Sequence, residues 1–285
     1  MTNWKHIKTN DYDWDYFGDK HGRETSKVRT FYEGNQYIWE ADLLPNYVAE
    51  SHWHPYDIVQ IFLEGEFIAE GEGSFYPGDI RWVKAGQSTK EGAGDKGSRF
   101  YLIALGGDIP LMWDDLYPLP DDLKESLAKR GNGVGNANIN TVPFIPFEDE
   151  FGRPTQPVQV ICDESPYIVR TKFDPDYEAK DHWHKYDTMY FIMDGEMSFS
   201  DEEPIYKKGD IRVVEGGHSY GPEKPGPDGV TFILISNGGP IELNWSDIKD
   251  LSLIHISEPT RLLSISVCGV GVKKKRGGGG GGGGG

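Results

Sequence analysis

The chain has 285 residues, a formal net charge of −17 and 37% hydrophobic residues. So acidic a protein repels phosphate backbones and anionic lipid surfaces, which argues against nucleic acid and membranes as partners, and no stretch has the apolar length of a membrane span. Only two cysteines occur, Cys162 and Cys268, so there is no disulfide framework and a reducing, cytoplasmic setting is expected.

In chain order, residues 1–24 form a polar N-terminal arm without the apolar run of a Sec signal peptide. Short segments rich in alternating apolar, aromatic and β-branched residues follow: YIWEADLL from Tyr37, DIVQIFLEGEFIAEG from Asp57, DIRWVKA from Asp79 and RFYLIALGG from Arg99. Glycine-containing turn signals separate them, the pattern of an all-β sandwich or barrel. Residues 116–157 read as a linker. Within it a helix is expected over 121–130, capped by Asp121, with Leu123 and Leu127 on one face and Gly131 ending it. The β pattern then returns in YIVRTKF from Tyr167, TMYFIMDGEMSFS from Thr188, DIRVVE from Asp210 and VTFILISNGG from Val230.

The second half repeats the first. His52, His54 and Gly65 match His182, His184 and Gly195, the block Gly78–Arg81 matches Gly209–Arg212, and Trp113 and Asp115 match Trp245 and Asp247. A duplicated domain follows, with repeat 1 over 25–115 and repeat 2 over 158–248. Beyond it, Leu251–Arg261 resembles a reading-frame translation of a transposase adapter used in preparing sequencing libraries, and the chain ends in KKKR and a glycine run. Residues 251–285 are therefore read as a non-native tail and left out of fold reasoning.

The duplication gathers scarce histidines. Side chains two apart on a strand point the same way, so His182 and His184 can grip one ion, and His218, after the strand that follows Gly209, offers a third imidazole. Such a set suits one divalent transition metal, with Fe(II) favoured and Zn, Mn, Ni or Cu as alternatives, and leaves positions open for water or substrate. In repeat 1 the residue matching His218 is Gln87. Because an amide oxygen is a poor ligand for such metals, that site is read as lapsed; the alternative is a weak second site of His52, His54 and Gln87.

These motifs, H-x-H with a glycine eleven residues on and then G-D-x6-G-H, resemble the two signature motifs of the cupin superfamily, and two copies resemble a bicupin. The resemblance implies two tandem jelly-roll barrels, all β, each with a metal at the barrel centre. The usual glutamate ligand of the first motif is missing: its positions hold Thr188 and Met189, or Ile58 and Val59 in repeat 1. What remains resembles the three-histidine cupins, such as the acetylacetone-cleaving and cysteine dioxygenases.

The reading that follows is a mononuclear non-haem metal dioxygenase acting on a small organic substrate in repeat 2. Its metal ligands are His182, His184 and His218. Thr188 and Tyr220 stand as catalytic residues near the metal, and Arg212 and Tyr190 as substrate-binding ones, with barrel packing or a pairing of Arg212 with Asp210 as the structural alternative. A Zn- or Mn-dependent isomerase or lyase is the second reading, and a non-catalytic metal- or ligand-binding regulatory module the third. A monomer or a homodimer is expected.

Overall fold

The stretch Ile58–Phe62, apolar on both strand faces but for Gln60, would be out of place in a sheet with one wet face, and in this computed structural model both faces are covered. Residues 3–131, 133–148 and 155–246 are described; the tail at 251–285 lies outside them. Repeat 1 forms an eight-stranded antiparallel sheet in the order Val134–Asn138, Asp79–Val83, Ile58–Ala69, Glu91–Ala104, Tyr37–Leu43, Glu24–Glu33 and Asp15–Gly18, with Gly73–Phe75 paired to Ile58–Ala69. Repeat 2 forms a seven-stranded sheet in the order Trp4–Ile7, Ile211–Val214, Asp187–Ser198, Lys224–Asn237, Tyr167–Phe173 and Val158–Asp163, with Tyr206–Lys207 paired to Asp187–Ser198. Each is joined by a two-stranded sheet, His52–Trp53 with Met112–Trp113 and His182–Trp183 with Asn244–Trp245. These are the two tandem jelly-roll barrels expected.

Strand alternation divides each repeat's apolar residues into two cores. Ile58, Phe62 and Phe67 pack inside the first barrel, and Tyr190, Ile192 and Phe232 inside the second. The intervening residues turn outward and meet those of the other repeat: Val59, Ile61 and Ile103 join Met189, Phe191 and Ile233 in one shared core. Tyr101 and Phe191 touch across it with ring centroids 5.4 Å apart. The two barrels thus bury a common face, and both belong to one compact unit.

The paired glycines Gly65 and Gly195 have a steric reason. Each has a positive φ, 74° and 75°. A Cβ there would lie 2.1 Å from the carbonyl oxygen of Gly97 or Gly229 on the neighbouring strand, so only glycine fits.

The helix runs from Asp121 to Arg130 and ends at Gly131, whose N–H bonds the Leu127 carbonyl at 3.1 Å. Pro120, not Asp121, occupies the N-cap, and no side chain caps it; Asp121 instead accepts from Lys124 within the first turn. Leu123 and Leu127 sit against Gly86, where a Cβ would crowd both.

Three short strands lie outside the repeats as read from sequence: Asp15–Gly18, which pairs within its own repeat's sheet, and two that cross to the other barrel. Trp4–Ile7, in the presumed arm, pairs with Ile211–Val214 of the second barrel. Val134–Asn138, in the presumed linker, pairs with Asp79–Val83 of the first. Each precedes one repeat and docks on the equivalent strand of the other, a reciprocal exchange that ties the barrels together. Ile7 is fully buried in the shared core. Ile7→Ala is therefore expected to cost about 2–5 kcal/mol of stability by chemical denaturation; a change within about 0.5 kcal/mol would mean that the segment behaves as a free surface arm.

Candidate metal and ligand sites in the two barrels

The short strand carrying each H-x-H motif is hydrogen-bonded to the segment at and just past the end of the second motif. His182 forms bridge hydrogen bonds with Tyr220, and His52 with Thr89. Each imidazole is anchored by Nδ1. His182 Nδ1 lies 2.8 Å from the Lys180 carbonyl and His184 Nδ1 2.7 Å from that of Glu242. In the first barrel His52 Nδ1 lies 2.9 Å from the Glu50 carbonyl and His54 Nδ1 3.0 Å from that of Pro110. A carbonyl can only accept, so Nδ1 carries the hydrogen and the Nε2 lone pair faces the interior, the tautomer a metal-ligating histidine adopts. Burial holds three of these rings neutral: it drives His182 down to about 4, and His184 and His54 to about 3.

In the second barrel the structure brings His182, His184, Tyr190, Arg212 and Tyr220 together, and Thr188 is buried two residues before Tyr190 on the same strand. Tyr220 lies against His182 with ring centroids 4.8 Å apart, and its hydroxyl shares a short hydrogen bond with that of Tyr190. The Tyr190 hydroxyl is also 3.2 Å from His184 Nε2, to which it can donate. Burial raises both phenols well above the ordinary range. Arg212 is fully buried, as is the strand residue matching it, Arg81. Arg212 donates from Nε and Nη2 to the two oxygens of Glu203 at 2.8 and 2.7 Å, and its guanidinium lies 4.0 Å over the Tyr220 ring. Its partner is thus Glu203, while Asp210 takes the Lys207 amide and the His6 ring.

His218 stacks on Tyr220 at the edge of this group, and no hydrogen bond joins it to His182 or His184 among the described residues. It is half-buried, and its ring centroid is 6.4 Å from that of Tyr220. Among the described residues no three His, Cys, Asp or Glu side chains are grouped to hold a metal ion. The carboxylate nearest the histidines is one that the sequence reading missed. Glu223 Oε1 lies 3.9 Å from His182 Nε2, both side chains almost wholly buried. Neither atom has a hydrogen-bond partner, and the same is true of Thr188 Oγ1 and Arg212 Nη1. Burial raises the Glu223 carboxyl to about 8 against the partial relief of Arg212. Four buried polar atoms without partners in one barrel fit a polar occupant, and a lone pair on His182 facing a carboxyl oxygen fits a cation in particular.

The first barrel has the same frame with different fittings. Glu91 matches Glu223, Oε2 lying 3.9 Å from His52 Nε2, and Glu72 matches Glu203. These pairs are 132 and 131 residues apart, within the drift of the repeat, and that was the signal from which they could have been found. Arg81 here reaches both acids, Glu72 at 2.6 and 2.9 Å and Glu91 at 2.6 Å. Burial alone would raise Glu91, but the Arg81 charge overcomes it and holds the carboxyl at about 2. Gln60 and Thr89 stand where the second barrel has Tyr190 and Tyr220. This barrel holds a cavity of about 70 Å³ lined by His52, His54, Gln60 and Glu91 together with mostly apolar side chains. Gln87 is not in its lining; its amide donates to the Ser88 carbonyl.

No family profile matches the chain, and no curated protein does. Solved structures do. An oxalate decarboxylase of Lactobacillus farciminis, in a formate complex, is 15% identical with a TM-score of 0.58, covering 84% of this chain and 87% of its own. The oxalate decarboxylase of Bacillus subtilis, which has Mn(II) centres, is 15% identical with a TM-score of 0.56, covering 81% of this chain and 76% of its own. A Nostoc punctiforme protein provisionally named a dioxygenase is 13% identical with a TM-score of 0.65, covering 90% of this chain and 87% of its own. Identities this low speak to the fold alone. The protein has the two-barrel fold of the bicupins, as its repeated motifs led one to expect.

Proposed function

We propose that the second barrel is a metal centre and that the protein is an enzyme acting there on a small organic molecule, most plainly as a mononuclear non-haem dioxygenase. The observation that carries this reading is the cluster of partnerless buried atoms around His182 Nε2 and Glu223 Oε1. His182 and His184 would be two ligands. Glu223 is the third candidate, in preference to His218, because its carboxyl already faces His182. Two imidazoles and one carboxylate form the facial set of non-haem Fe(II) oxygenases, and the same set suits Mn(II). When bound, such a metal supplies Lewis-acid activation and a template for the reactants.

The residues around it have their own tasks. The carbonyls of Lys180 and Glu242 hold the imidazoles in the ligating tautomer. The Tyr190 hydroxyl, now on His184 Nε2, would have to turn aside for that nitrogen to ligate, and together with Tyr220 it could then donate to a bound anion. Thr188 directs a free hydroxyl into the same interior. Arg212, neutralised by Glu203, contributes a fixed positive field and one free N–H rather than a mobile clamp. A Mn-dependent lyase is the second reading, favoured by the likeness to oxalate decarboxylases.

Metal analysis of the full chain prepared without oxygen tests the centre. Roughly one Fe or Mn per chain is expected, with occupancy lost in His182→Ala and Glu223→Gln and kept in His218→Ala. Loss in His218→Ala with retention in Glu223→Gln would return the third position to His218, and no metal in any form would sink the proposal. Oxygen uptake on substrate screening then separates the dioxygenase from the lyase.

Proton linkage gives a second test, on metal-free protein. The folded pKa of Glu223, about 8, lies above its usual 4.5. Folding therefore takes up a proton between these values, and the contribution of Glu223 to stability falls as pH rises across that window. Glu223→Gln should gain stability relative to wild type from pH 4.5 to pH 8. An unchanged difference across the window would contradict burial of a protonated Glu223.

A further inference from the structure

The first barrel holds a feature that the metal reading of the second does not use: a small cavity whose lining includes several acceptors. Three atoms there have no hydrogen bond among the described residues: His52 Nε2, His54 Nε2 and Glu91 Oε2. Both histidines spend Nδ1 on backbone carbonyls. Glu91 spends Oε1 on Arg81 and Thr89 at 2.6 and 2.9 Å. The histidines are 2% and 7% exposed, so these lone pairs lie inside the protein and face the cavity.

Charge sharpens the chemistry. Arg81 is one positive charge held between two carboxylates, Glu72 and Glu91. The cluster is left with one negative charge in excess, partly buried, a state that water-excluded surroundings penalise unless a cation joins it. In the second barrel Arg212 pairs with Glu203 alone. The rest of the cavity wall is mostly apolar, including Phe17, Trp39, Phe67 and Phe100, with Thr25, Ser26 and Tyr47 among it. At about 70 Å³, the space is roughly half of the 150 Å³ cavity that accepts benzene.

We propose that the first barrel is a binding site for a small alkylammonium ion, of about three to five heavy atoms, its charged nitrogen between His52, His54 and Glu91 and its alkyl chain against the aromatic wall. An ammonium offers three donors and one positive charge, which match three acceptors and one excess negative charge. The repeat carries its own control. Gln60 lines the cavity and Thr89 pairs with His52 beside it, and the second barrel has tyrosine at both positions while keeping the same strands.

The test is calorimetric titration of the full-length protein with propylammonium chloride, with 1-propanol as the neutral isostere and Mn(II) chloride as the competing cation. One propylammonium per chain is expected, bound about tenfold or more tightly than 1-propanol, the gain of a charge-assisted contact. Glu91→Gln should remove that preference. The double variant Gln60→Tyr/Thr89→Tyr, which rebuilds the packing of the second barrel, should abolish binding. No propylammonium binding to wild type, equal affinity for 1-propanol, or binding that survives the double variant would each overturn the proposal. Displacement of propylammonium by micromolar Mn(II) in a manner abolished by His52→Ala would also overturn it, making the site a metal centre instead.

Discussion

Everything inside the two barrels depends on one small contact made four times: an imidazole Nδ1 resting on a backbone carbonyl at 2.7 to 3.0 Å. The carbonyl fixes which nitrogen carries the hydrogen. It thereby turns a second nitrogen, stripped of solvent and bearing a lone pair, toward the middle of each barrel. The strand supplies the rest, since residues two apart project together. Burial then keeps His54, His182 and His184 uncharged. A protonated pair at this spacing would repel itself and would offer an interior nothing to bind a cation with.

Around that shared frame the two repeats diverge through a few substitutions. Tyrosines at 190 and 220 fill the second barrel and hydrogen-bond to each other and to His184. Glutamine and threonine stand at 60 and 89 in the first, which holds a cavity. The guanidinium on the G-D-I-R strand meets one acid in the second barrel and two in the first. Equivalent glutamates consequently sit at opposite ends of the titration range, Glu91 held at about 2 and Glu223 raised to about 8. Duplication conserved the scaffold, while the interior charge of each barrel was set separately.

Much of this was legible in the chain. The repeat, the jelly-roll strands, the inward-facing H-x-H pairs and the helix at 121–130 follow from periodicity and spacing, because they are local properties of the sequence. The glycines at 65 and 195 are explained only by a neighbouring strand's carbonyl, although their pairing was visible. The exchanged strands were not: Trp4–Ile7 and Val134–Asn138 share almost no side chains, since their role is to present backbone to another repeat's edge. Nor was the register of the second motif. His218 follows a bend at Gly216 and Gly217, the latter with φ 79°. Past the bend it is Tyr220, two residues further, that pairs with the His182 strand, and this brings Glu223 to the histidines. Spacing counted along the chain cannot see through such a bend.

The most direct measurement of the account is the tautomer of the anchored histidines, read from long-range proton–nitrogen NMR correlations of the imidazole rings in metal-free protein at neutral pH. His54, His182 and His184 are predicted to be neutral with hydrogen on Nδ1 and a bare Nε2. Rings protonated at Nε2, or charged imidazolium rings, would contradict the inward-facing lone pairs on which both barrels' chemistry is built.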